Sequence, residues 1–105
     1  MLRIYSDALQ VTKAAVALSR QLAASDATLA DQLRRAAISI PLNIAEGSGV
    51  IGGNQRLRYS TALGSACEVR SCVDVAATCG YCGSLDPVAA DRLDKVIATL
   101  FKLTR

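Results

Sequence analysis

The chain contains no histidine, only two prolines and only four aromatic residues. Without histidine, acid–base catalysis and nucleophile activation near neutral pH lose their usual group. The few prolines, with 51% apolar and 20% charged residues, exclude a disordered chain and point to a globular one. The four aromatics, Tyr5, Tyr59, Tyr81 and Phe101, leave few platforms on which nucleobases could stack. Alanine and leucine dominate instead, and small side chains of good helix propensity favour closely packed helices. Long apolar runs are missing as well. Charges interrupt each one well short of the roughly 20 residues that a membrane span needs. No apolar leader is expected, because Arg3 and Asp7 already fall in a helical pattern. The expectation is a cytoplasmic protein without membrane contact.

What is present is a chain of 105 residues, expected to form one domain over residues 1–105 with a modest core. The net charge of +3 is compatible with nucleic acid but sparse for phosphate binding. By segment the excess is spread out. Arg3, Lys13 and Arg20 outnumber Asp7 near the start, and Arg56, Arg58 and Arg70 outnumber Glu68 and Asp74 further on.

Four apolar seams run along the chain. Ile4, Ala8, Val11, Ala15, Leu18 and Leu22 alternate steps of 4 and 3, which predicts a helix over 2–24. Leu29, Leu33, Ala36, Ile40 and Asn43 do the same over 28–47, with Ala37 and Ile44 widening the stripe. Tyr59, Ala62, Ala66, Val69, Val73 and Ala76 predict a third helix over 54–80, and Ala89, Leu93, Val96, Leu100 and Leu103 a fourth. Ser25-Asp26 reads as a stop and a cap, Asn54 as an N-cap, and Gly80 as a C-cap. Asp86-Pro87 places a capping carboxylate before proline at the first helical position. Without any strand signal, the pattern predicts an all-α, antiparallel up-and-down four-helix bundle.

Pro41 interrupts the second seam. A proline there removes a backbone hydrogen bond and frees a carbonyl. The apolar phase is the same on both sides, so the helix is expected to continue with a kink at Pro41 and to end at Gly47 in a left-handed cap. Asn43 falls on the seam one turn later, where a buried amide must be hydrogen-bonded. The expected arrangement is a structural polar cluster of Asn43, Glu46, Glu68 and one of Arg34 or Arg35, lying beside the freed carbonyl.

Catalytic and metal-binding constellations do not emerge. Cys79 and Cys82 have redox-motif spacing but follow a helix, where its dipole disfavours a thiolate. Cys67 and Cys72 are five apart, about 140° around a helix, and cannot reach one ion. Glu46 and Glu68 could face each other, but nearby arginines make an ion-pair network the simpler reading. No enzyme, cofactor, metal or small-molecule substrate is therefore expected. Arg56, Arg58 and Arg70 are the candidate nucleic-acid contacts. Val50 and Ile51, in the glycine-flanked loop, would suit a protein contact.

The stretch Gln32 to Gly49, QLRRAAISIPLNIAEGSG, resembles the signature of a bacterial four-helix-bundle family. That family is named for proteins encoded within intervening sequences of large-subunit ribosomal RNA genes. Ala62 to Glu68 and Gly80-Tyr81 resemble its later landmarks in the same order. The resemblance implies a bundle that forms homopentamers and has no enzymatic activity. It also implies a fold similar to the accessory protein of diversity-generating retroelements, which binds a reverse transcriptase and nucleic acid. The motif positions carried over are Arg34, Arg35, Ser39, Pro41, Asn43, Glu46, Gly47 and Glu68. Two readings follow. One is a homo-oligomeric bundle that offers a mildly basic surface to RNA, DNA or a nucleic-acid enzyme such as a reverse transcriptase. The other is a protein-interaction scaffold without nucleic-acid contact.

Overall fold

The computed structural model describes residues 2–105 and contains four helices: α1 (Ile4–Leu22), α2 (Ala27–Ser48), α3 (Gly53–Thr78) and α4 (Pro87–Thr104). They pack in a closed square, α1 on α2, α2 on α3, α3 on α4, and α4 back on α1. Short links make neighbours antiparallel. The result is a rod of 42 × 24 × 20 Å. One end carries the α2–α3 loop, the start of α1 and the end of α4. The other carries the α1–α2 and α3–α4 links.

The seams become the core. All six predicted positions of α1 and all six of α3 are buried. Alanines at 8, 15, 36, 37, 62, 66 and 76 let the helices approach closely, and Leu22, Leu33, Ile40, Ile44 and Leu100 fill the space between them. Two positions depart from the pattern. Leu103 lies past the last packed turn and is 41% exposed, and Asn43 is half-buried at the edge of the α2–α3 contact.

The helix ends follow local chemistry, with two corrections. The carboxylate of Asp26 accepts from the Leu29 amide, and that of Asp86 from the Ala89 amide, each at 2.9 Å. Gly80 takes φ +73°. There the Gly80 and Tyr81 amides bond back to Ala77 and Ala76, a Schellman ending. Asn54, however, is not the cap of α3. Gly52 occupies that position at φ +68°, a conformation that favours glycine, and no side chain caps the helix.

Nor does Gly47 end α2. The helix continues to Ser48, and Gly47 is a buried position inside it. Its lack of a side chain serves packing. A Cβ there would lie 2.7 Å from Cδ1 of Tyr59, closer still to its Cε1, and 3.2 Å from Cβ of Arg58. The Tyr59 ring occupies the volume that any larger residue would need.

Helix α2 runs unbroken through Pro41, as the constant apolar phase requires. The carbonyl that Pro41 leaves without an amide is that of Ala37, four residues earlier. The Thr12 hydroxyl of α1 donates to it at 2.8 Å. The same hydroxyl lies 2.9 Å from the Ala8 carbonyl, but it has one proton, and only the Ala37 carbonyl has lost its helical donor.

Candidate functional site

The α2–α3 seam carries the polar residues singled out by sequence, and the structure divides them into separate groups. Asn43 donates to the Ser39 carbonyl at 2.9 Å and to the Ser39 hydroxyl at 3.0 Å. Ser65 of α3 donates to that same hydroxyl at 2.8 Å. Asn43 is thus tied through Ser39 to α3, without a carboxylate. Glu46 instead pairs with Arg58 across the seam at 3.0 Å.

Arg34 and Arg35 both pair with Asp31, at 2.8 and 3.0 Å. The Arg34 hydrogen bond, with the Arg35 and Arg34 charges, outweighs desolvation and holds the Asp31 carboxyl below its ordinary value near 3.8. Glu68 is exposed and joins no ion pair among the described residues. It stands ten residues along α3 from Arg58, about 15 Å.

The expected cluster of Asn43, Glu46, Glu68 and an arginine is therefore not assembled. Asp31, one turn from Arg34 and Arg35 on the same helix, captures both guanidiniums without a reach across the seam. Arg34, Arg35, Asn43 and Glu46, without Glu68, still line one shallow groove of about 360 Å³, together with Ile38, Ser39, Leu42 and Arg58.

The cysteines are free and dispersed in environment. Cys67 and Cys79 are exposed, Cys82 is half-buried, and Cys72 is buried in the α3 face. Burial, helped by the charge of Glu68, pushes the Cys72 thiol up from its ordinary value. Cys79 is the C-cap of α3.

The candidate nucleic-acid residues also separate. Arg70 pairs with Asp94 of α4. It stands fourteen residues beyond Arg56 on α3, about 21 Å along the axis. Arg56 and Arg58 lie together at the loop end. Arg56 donates to the Arg105 carbonyl at 3.2 Å, which brings the start of α3 against the end of α4. Arg3 at the start of α1 and Lys102 in the last turn of α4 belong to the same end.

Five cations thus gather at the loop end, with Glu46 as the carboxylate among them. Asp7, a turn inside, faces Arg92 at 3.8 Å. The six remaining aspartates all belong to the opposite half. Sequence segments could not show this polarity, because the five cations come from three helices. Val50, Ile51 and Leu57 are exposed around the same loop, Ile51 at 87%. A groove of about 340 Å³ lies between Gly52, Gly53, Arg56, Tyr59 and Leu103.

Fold and site together define a small up-and-down four-helix bundle with a basic end and ion-paired flanks. A profile of the family described as 23S rRNA-intervening sequence protein matches residues 1–102. The chain belongs to that family, in agreement with the resemblance carried by Gln32 to Gly49. No curated protein matches it. Among the described residues no helix is long and apolar enough to cross a membrane.

Proposed function

We propose that this chain is a non-enzymatic, homo-oligomeric bundle of the cytoplasm that presents its basic end to RNA, DNA or a nucleic-acid-processing partner such as a reverse transcriptase. The observation that carries the reading is the gathering of Arg3, Arg56, Arg58, Lys102 and Arg105 at one end of the rod, with six of the seven aspartates in the other half. Such a separated charge raises the local concentration of a polyanion, and each neutralised phosphate releases counterions. A ring of subunits, which the family resemblance implies as a pentamer, would multiply the contact through effective concentration. A non-enzymatic role fits the pairing of Glu46 with Arg58 and the distance along α3 between Arg58 and Glu68, which keep these two glutamates from acting as a carboxylate pair.

The test is the mass in solution by light scattering, with and without a mixed RNA and DNA pool, at low and moderate salt. The expected result is an oligomer that gains mass with nucleic acid at low salt and loses it as salt rises. An oligomer indifferent to nucleic acid at low salt overturns this reading. It would favour a protein-interaction scaffold, for which the 87% exposure of Ile51, beside Val50, is the specific support.

A further inference from the structure

The basic end also holds an exposed aromatic ring, which phosphate attraction does not require. Tyr59 is buried and Tyr5 half-buried. Tyr81 belongs to the opposite end of the rod. Phe101 is 56% exposed, has no polar atom to satisfy in water, and stands on the last full turn of α4.

Phe101 stands on the last turn of α4, and Arg105 follows that turn as the C-cap. The guanidinium of Arg56 reaches the Arg105 carbonyl from α3 at 3.2 Å. The exposed Phe101 and the cations Arg56 and Arg105 thus belong to the same end of the rod, where α3 begins and α4 finishes. In a duplex the base faces are stacked inside, and only the backbone and the base edges in the grooves are offered. An unpaired strand offers a π-face and phosphates together, the combination that an exposed aromatic among arginines suits.

We infer that the basic end takes single-stranded nucleic acid, with an unpaired base stacked on Phe101 and flanking phosphates at Arg56 and Arg105. This deepens the nucleic-acid reading above and rests on it.

Binding of a labelled, unstructured single-stranded RNA and of the same strand annealed to its complement as a blunt duplex, followed by fluorescence anisotropy at low salt, tests it. The full chain is compared with F101A, F101L and F101W. Helical content by circular dichroism confirms that each variant folds, as the ring's exposure leads one to expect. The expected result is a preference for the single strand. F101A and F101L should weaken single-strand binding about 10-fold or more, F101W should preserve it, and duplex binding should change little. Equal affinity for both forms, or single-strand binding untouched in F101A and F101L, overturns the inference while leaving the nucleic-acid reading in place. A loss of oligomer mass in F101A without loss of single-strand affinity also overturns it and assigns the ring to contacts between copies. No binding of either form by the wild-type chain refutes the nucleic-acid reading itself.

Discussion

Thr12 matters more to this bundle than its position in the sequence suggests. Pro41 costs a helix interior about 3 kcal/mol or more, partly through the carbonyl it strands. The Thr12 hydroxyl recovers part of that loss across the α1–α2 contact. Thr12→Val keeps the shape and removes the donor. It is expected to destabilise the fold by about 1–2 kcal/mol in urea unfolding. In a Pro41→Ala background, the amide restored at that position again serves the Ala37 carbonyl, and the cost of T12V should shrink. Equal costs in both backgrounds would show that the hydroxyl is not answering the proline. Gly47 poses the opposite balance. Alanine gains about 1 kcal/mol of helix propensity, but its Cβ would press into Tyr59 and Arg58. Overpacking of this kind costs about 1–3 kcal/mol, so G47A should lower the melting temperature. A rise would mean that the Tyr59 ring turns aside freely.

Among the elements, α2 joins the most roles. Its start is capped by Asp26, its first turns tie Arg34 and Arg35 to Asp31, its middle leans on Thr12, and its end touches Tyr59 and Arg58. The Asp31 pair is exposed and has a definite pH signature. Its folded-state carboxyl is depressed, so the stabilisation is complete above the ordinary value near 3.8 and disappears as pH falls through the lower folded value. Carboxyl NMR titration should place the Asp31 midpoint below that ordinary value. Arg34→Ala should move it upward, because the Arg34 hydrogen bond is the largest cause; an unmoved midpoint would assign the depression elsewhere. Periodicity and caps made the four helices legible, since both depend on residues a few positions apart. The polar cluster was not legible. It required Asn43, Glu46 and Glu68 to choose partners across the seam, whereas Ser39, Ser65 and Arg58 were the neighbours that packing supplied.

For the whole molecule, the charge asymmetry makes a prediction about which arginines matter. Arg56→Glu should weaken nucleic-acid retention and flatten its salt dependence, by about one unit of slope for one lost phosphate contact. Arg70→Glu should leave both nearly unchanged. Arg70 is paired with Asp94 and lies about 21 Å along α3 from Arg56. Equal losses from both substitutions would indicate a diffuse electrostatic footprint, not an end-on one.

The amino-acid sequence alone determined the four helices, their caps at Asp26, Asp86 and Gly80, nearly every core position and the family. Each of these is written in residue type at short spacing or in a contiguous motif. It also showed that Pro41 must strand a carbonyl. Only the tertiary structure decided that Thr12 answers it, that Gly47 makes room for Tyr59 without ending the helix, and that Arg3, Arg56, Arg58, Lys102 and Arg105 meet at one end. The physical reason is that partners distant in sequence are selected by how helix faces stack and by which end of the rod each helix reaches.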